Sequence, residues 1–523
     1  MKVYAVSMDR NILSIGFRRV VAVAKKAGFD VDSIYFLDDF RENTHSGSWW
    51  RQKTGEGFGV NFISDEEKVS ALAQHLSKGD VVAFSVMSVQ RNLCKTLCKK
   101  VKELNPDIKI ILGSYHPTIF PEDAIEFSDA IAIGEGELIF VDFLNRVKNS
   151  ESLEGLEGTW TNINGKITKN PDRELMTKGQ MEDRALMDYT LENNYIYSVA
   201  DESVIPLTEK IFYKQVGTVY NTIWSVGCPY RCSFCSQDLL NDMNPEYAQF
   251  RGPSPAYMVN EIKEVQKRFA IDYVIFYDSD FMGRSLEELK EFGRLFPETG
   301  LKFILSGTNP ATIREEKMRV LTDAGLVRIK MGMESGNDEM LEFFKRPAKT
   351  KELRKTSEIL SKFKDKMVAP AFEMIIDNPL GSKDQLYQTI DFLHSLSGPF
   401  TLSLFSMHFM PGTALSRTQG DDKFVAEQFD KEYMFSYKPN ALNNLLSIFA
   451  ILKPSPLLLK ILKKFVSGKE EKKFPRLKTF LYRAMLFRRA MDSVRFGDYS
   501  NFPAWVMFVY HKTRQLKLNL LSG

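Results

Sequence analysis

Short apolar runs alternate with amphipathic stretches along the first 150 residues. The runs at 2–8 (KVYAVSM), 32–37 (DSIYFL), 80–86 (DVVAFSV), 108–114 (IKIILGS) and 129–134 (DAIAIG) are short and almost continuously apolar. That is the pattern of strands covered on both faces. Between them, 17–28 (FRRVVAVAKKAG) and 92–104 (NLCKTLCKKVKEL) carry helical spacing. Strands separated by helices in this rhythm predict an α/β domain with a doubly wound parallel sheet over 1–150.

Residues 151–206 read as a connector, with a hairpin signal at Asn164-Gly165. From 207 to 419 the β/α rhythm resumes. Strand candidates lie at 222–227 (TIWSVG), 272–278 (DYVIFYD), 303–307 (FILSG), 326–334 (LVRIKMGME), 370–377 (PAFEMIID) and 402–409 (LSLFSMHF). Helical stretches such as 285–296 and 383–396 separate them. Six or so parallel strands predict a partial or complete β/α barrel, with its chemistry at the strands' C-terminal ends. Residues 420–523 predict a helical, basic region. The polar loop at 41–59, with two tryptophans, is longer than most structural connections.

Composition narrows the class. With 523 residues, 44% hydrophobic and 26% charged, the chain has ample core for about three domains. Its start turns polar after one short apolar run, unlike a secretory signal, and no run reaches the ~20 apolar residues of a membrane span. Five cysteines do not suggest a disulfide framework, so a cytoplasmic location is expected. Net charge is +3 but uneven: from Lys453 onward sixteen Lys/Arg face four Asp/Glu, an excess of twelve. The tail is therefore a unit with its own surface.

Three of the five cysteines, Cys228, Cys232 and Cys235, fall within eight positions (CPYRCSFC), on a tight loop with Gly227 and Pro229. Thiolates are soft ligands for iron–sulfur clusters, zinc or copper. A structural zinc site takes four protein ligands, and no second CxxC knuckle or suitably spaced His is present. Three thiolates suit three corners of a four-iron cluster, leaving one iron open.

CPYRCSFC resembles the CxxxCxxC motif of radical S-adenosylmethionine (SAM) enzymes, over about residues 207–419. The resemblance implies a [4Fe-4S] cluster on the three cysteines and SAM on the open iron, cleaved reductively to a 5′-deoxyadenosyl radical. It also implies an electron donor such as flavodoxin or ferredoxin. Further segments resemble the family's strand ends. In YDSDF (277–281) Asp280 is the candidate for the methionine amino group. In GMESG (332–336) Glu334 and Ser335 are candidates for ribose or carboxylate, Phe234 lies inside the cysteine motif, and FMPGTAL (409–415) resembles a turn near the adenine.

FSVMSVQ (84–90) and GSYHPTIFPEDAIEFSDAIAIGEGE (113–137) resemble the Rossmann-like cobalamin-binding domain that precedes many radical SAM modules. Ser85, Ser88, Gly113, Ser114 and Gly134 are the implied cobalamin contacts, since small residues after strands admit a nucleotide-like tail. One departure stands out. The family's DxHxxG loop corresponds to SMDRNILSIG (7–16), where Asp9 is kept but Asn11 stands in place of the His. His116 belongs to the other end of the crevice. Cys94 and Cys98, four apart on a helix face, read as core residues.

The implied activity is cobalamin-dependent methylation of an unactivated carbon on a hydrophobic or lipid-like small molecule. The alternatives are a non-methylating cyclase or rearrangement enzyme, and a non-catalytic cobalamin or iron–sulfur sensor. In the tail, Leu458, Ile461, Leu462 and Phe465 predict one helix face with Lys460, Lys463 and Lys464 around it. That face suits either the barrel or an anionic membrane surface. No nucleic-acid partner is expected, because no RNA-binding module accompanies the charge.

Overall fold

The computed structural model describes residues 1–38, 67–410, 412–418, 437–500 and 502–522, with Glu67 and residues 517–522 as backbone alone. The expected 41–59 loop and the boundary at 419–420 lie outside the described residues.

The first sheet has nine strands: β1 (Val3–Ser7), β2 (Val31–Leu37), β3 (Val81–Ser85), β4 (Lys109–Gly113), β5 (Ala130–Ala132), β6 (Thr159–Ile163), β7 (Lys166–Lys169), β8 (Asn194–Ser198) and β9 (Ser203–Pro206), in the order β7-β6-β5-β4-β3-β1-β2-β8-β9. β1–β5 and β8 are parallel. β6, β7 and β9 add antiparallel edges. The stretch 151–206, read from sequence as a connector, thus supplies four strands to this sheet.

Helices Ile15–Lys26 and Gly136–Lys148 cover one face through Val21, Ile139 and Phe140. Ser70–Leu76 and Arg91–Leu104 cover the other through Leu72, Leu93, Cys94 and Cys98. Cys94 and Cys98 are buried with their sulfurs 3.9 Å apart, as helical spacing predicts. Strand order reverses between β1 and β3, where Ser7 lies beside Ser85. In such sheets the ligand crevice opens at that point.

The second sheet runs in chain order and all parallel: β10 (Val219–Thr222), β11 (Tyr273–Phe276), β12 (Lys302–Leu305), β13 (Leu326–Glu334), β14 (Ala371–Ile376) and β15 (Thr401–Ser406). This is an open β/α barrel, with helices 255–266, 286–295, 315–324, 350–361 and 383–395 between its strands. Its inner face is lined toward one end by chain from the C-terminal region. Met507 packs on Val219, Ile275 and Ile304, Arg328 pairs with Asp498 at 2.8 Å, and Arg489 donates to Leu402 O at 2.7 Å.

One strand assignment is corrected. The run at 222–227 is not itself the strand; β10 ends at Thr222. The next residues turn away because buried Asp278 holds them: its Oδ2 accepts from Trp224 N at 3.1 Å and its Oδ1 from Ser225 N at 2.6 Å. Val226 then bridges Arg251.

The two sheets are locked together by Arg19 and Glu261, both buried, at 2.5 Å. Glu261 also accepts from Tyr220 Oη at 2.7 Å.

Candidate active site

The cysteine loop begins at a backbone constraint. Gly227 has φ +90°, and a Cβ there would lie 2.1 Å from Gln249 O. Only glycine enters that conformation in that space. Cys228 N donates to Tyr247 O at 2.9 Å and Asn241 Nδ2 to Cys228 O at 2.9 Å. Cys235 directly precedes helix Ser236–Met243. Leu415 N donates to Ser233 O at 2.8 Å, so the start of helix Ala414–Arg417 docks on the loop.

Cys228 and Cys232 are buried and Cys235 is half-buried. Burial pushes the Cys228 thiol up to about 12 and that of Cys235 to about 11. Cys232 is also raised by burial, opposed by Arg346, whose Nη1 donates to its sulfur at 3.3 Å. Such thiols keep their protons at neutral pH until a metal displaces them. Among the described residues no three His, Cys, Asp or Glu side chains converge closely enough for a single metal ion. Three soft donors on one short loop, with an arginine donating to one sulfur, fit an iron–sulfur cluster.

Around the loop sit acids that burial holds partly protonated. Asp280, fully buried, is pushed up to about 7 by desolvation. Its Oδ1 accepts from Asn309 N at 3.2 Å and Thr312 Oγ1 at 3.0 Å, while Oδ2 has no partner. An orphaned buried carboxylate oxygen near Cys228 suits an ammonium group. Glu334, at the end of β13 with φ +66°, is likewise raised to about 7 by burial and lies 3.9 Å from Arg346 Nη1. Ser335 is buried, its Oγ accepting from Asn337 N at 3.2 Å. Phe234 packs edge-on against Phe344 and joins Phe409 and Leu415.

Between the sheets lies a cavity of about 350 Å³. Ser85, Gly113, Ser114 and Gly134 line one side, and Ser225, Val226 and Gly227 the other. A Cβ at Gly113 or Gly16 would meet nothing within 4 Å, because the space beside each is open. Gly134, with φ +83°, takes the hydroxyl of Tyr247 against its α-carbon. Glu135 pairs with Arg251 at 2.5 Å beside it. A glycine-rimmed crevice at the switch point fits a nucleotide-like tail.

Ser88 is not brought to this cavity. Its hydroxyl lies 3.2 Å from His116 Nδ1, and His116 Nε2 lies 3.1 Å from Asp123. Both imidazole nitrogens are therefore engaged away from the crevice. Asn11 closes its own loop: Oδ1 accepts from Leu13 N at 2.8 Å and Nδ2 donates to Asp9 O at 2.8 Å.

Sequence reading missed Arg346, Asp278 and Tyr247. Asp278 is the first aspartate of YDSDF, two residues before Asp280, so its signal is local. The others become visible only when distant segments meet.

Residues 222–393 match the family model described as the radical SAM superfamily, and residues 1–144 the B12 binding domain. A methyltransferase of Pyrococcus horikoshii is 23% identical over 291 residues, covering 54% of this chain and 58% of that one. The anaerobic magnesium-protoporphyrin IX monomethyl ester cyclase of Rubrivivax gelatinosus is 22% identical over 349 residues, covering 64% and 56%. The matches thus span little more than half of these relatives' length. Among solved structures, the radical SAM methyltransferase TsrM of Kitasatospora setae aligns with a TM-score of 0.59 at 14% identity, over 80% of this chain and 76% of that one. The cobalamin-dependent SAM radical enzyme OxsB aligns with a TM-score of 0.59 at 15% identity, over 100% and 81%. At such identity these two speak for the fold. By the two family matches the chain carries a B12-binding domain over residues 1–144 ahead of a radical SAM domain over residues 222–393.

Proposed function

We propose that this chain is a cobalamin-dependent radical SAM methyltransferase acting on an unactivated carbon. One observation carries the reading: a single cavity has the β3–β5 edge of the B12-binding domain on one side and the start of the cysteine loop on the other. Two cofactors facing one space argue for group transfer between them rather than for separate tasks.

When bound, the [4Fe-4S] cluster with SAM supplies a 5′-deoxyadenosyl radical, and cobalamin supplies a methyl carrier. Cys228, Cys232 and Cys235 would hold the cluster, and Arg346 donates to the Cys232 sulfur. Asp280, with its free Oδ2, would take the amino group of SAM's methionine. Glu334 and Ser335 would take its ribose or carboxylate, while Phe234 walls the loop. Ser85, Gly113, Ser114 and Gly134 would leave room for the cobalamin tail. Packing of Phe409 and Leu415 with Phe234 helps exclude water from the site. An external flavodoxin- or ferredoxin-like donor would deliver the electron, and the substrate is read as a small, hydrophobic or lipid-like molecule.

The domain division proposed is 1–150, 151–206, 207–419 and 420–523, with the second segment completing the first sheet.

Anaerobic assay of reconstituted protein with SAM, cobalamin, reductant and candidate substrates tests the reading. Formation of 5′-deoxyadenosine, S-adenosylhomocysteine and a methylated product is expected. Deoxyadenosine and altered but unmethylated product would replace methyl transfer with cyclisation or rearrangement. Binding of SAM with no cleavage would leave a sensor.

A further inference from the structure

Helix 475–496 carries several polar residues on its inner face, beside buried Leu481: Lys478 is buried and donates to Tyr437 O at 2.9 Å, Arg489 to Leu402 O at 2.7 Å, and Ser493 accepts from Arg328 at 2.8 Å. Arg488 also points inward, to Ile451 O. Large apolar residues face away: Phe480 and Phe487 are each 66% exposed, Met491 57% and Val494 51%. With Arg476 and Arg483 they recur every three or four positions, forming one stripe along 22 residues. That is about 33 Å of helix.

The preceding helix, 456–466, likewise exposes a mixed apolar and basic face. It buries Leu459 and Val466 and exposes Leu457, Leu458, Ile461 and Phe465 beside exposed Lys460 and Lys464. The sequence-predicted face is thus largely outward, except that Leu462 packs on the core. Neither stripe contains an acidic residue. The four acids after Lys453 are Glu470 and Glu471 in the connection between the helices, half-buried Asp492, and Asp498, buried against Arg328.

Water offers nothing to these apolar faces, and a neutral protein partner would leave their arginines and lysines unmatched. We infer that helices 456–466 and 475–496 form a docking surface for an anionic lipid bilayer, with Phe480, Phe487, Ile461 and Phe465 entering the acyl boundary. The flanking arginines and lysines meet the headgroups. Among the described residues no helix is long and apolar enough to cross a membrane, so these helices lie on the bilayer. The inference goes beyond the methyl-transfer reading and is independent of it.

The test is flotation of full-length, cluster-loaded protein with vesicles of phosphatidylcholine alone or with 30% phosphatidylglycerol, at low and high salt. Binding to the anionic vesicles, weakened by salt, is expected. The double substitution F480S/F487S is expected to lower vesicle affinity on the order of ten- to a hundredfold, leaving SAM cleavage in vesicle-free solution unchanged. The charge variant R476E/R483E, with its fold checked by thermal melting, is expected to abolish the preference for anionic lipid. Folded protein that ignores anionic vesicles overturns the inference. So does a concentration-dependent dimer, seen in sedimentation, that F480S/F487S dissociates, because the stripe then covers a second copy.

Discussion

The two parallel sheets face one cavity but contribute to it in opposite ways. The barrel side holds chemistry just behind the cavity wall formed by Ser225, Val226 and Gly227: three thiols, Asp280 with an unpaired oxygen, Glu334 and Arg346. The nine-stranded side brings room, through Gly113, with small hydroxyls at Ser85 and Ser114. Cluster binding depends on donors placed by a short loop, so it is encoded locally. Cofactor admission on the other side depends on side chains being absent where strands end. The same crevice rule therefore produces one site legible as a motif and another legible mainly as geometry.

The largest expected effect breaks the barrel side alone. Cys228→Ala, Cys232→Ala or Cys235→Ala is expected to bring reductive SAM cleavage to background and lower bound iron, with corrinoid binding kept. Iron analysis and deoxyadenosine assay check this. Cleavage that persists in any of the three refutes the cluster assignment.

Next comes the lock between the sheets. Glu261→Gln leaves the Arg19 charge buried without its partner and is expected to cost about 3–5 kcal/mol in urea unfolding. Arg19→Met with Glu261→Leu is expected to recover most of that loss. Burial alone would raise the Glu261 carboxyl, but Arg19 holds it below its ordinary value. Its stabilising contribution is therefore present above the unfolded carboxylate value of ~4.3 and lost as pH falls through the lowered folded value. Acid unfolding of Glu261→Gln should lack that component.

A third change breaks the other side. Gly113→Val adds carbons where the space is open. Cobalamin affinity is expected to fall roughly ten- to a hundredfold, with SAM cleavage and cluster content intact. Equal loss of both cofactors would mean that the domain had unfolded, and thermal melting separates that case. Unchanged corrinoid binding in a folded variant would move the cobalamin tail elsewhere.

The contrast between the sheets also explains what was legible in the chain. The alternation of strands and helices is local and sets both parallel sheets. Cys228, Cys232 and Cys235 were legible because one short loop carries them. Segment 151–206 was read as a connector because its strands are short and broken by polar positions, and β6 and β8 join the sheet through partners, β5 and β2, distant in sequence. The 222–227 run looked like a strand because Ile223, Trp224 and Val226 are apolar, yet Asp278, more than fifty residues later, pulls it out of register. Ser88 had the residue type expected of a cofactor contact, but His116 claims its hydroxyl. Arg346 carried no local signal, since its role exists only where β13 meets the cysteine loop.

The smallest change sharpens the comparison most finely, because it asks whether the room-giving side also supplies a ligand. Asn11 occupies the position where the DxHxxG motif has its histidine, and an amide oxygen is also a donor. Its carboxamide is already spent within its own turn, with Oδ1 taking Leu13 N at 2.8 Å and Nδ2 reaching Asp9 O at 2.8 Å. Asn11→Ala is therefore expected to cost about 1 kcal/mol of domain stability and to leave the absorption spectrum of bound corrinoid unchanged. A shift of that spectrum at unchanged occupancy would make Asn11 a ligand after all, and the nine-stranded side would then contribute chemistry as well as space.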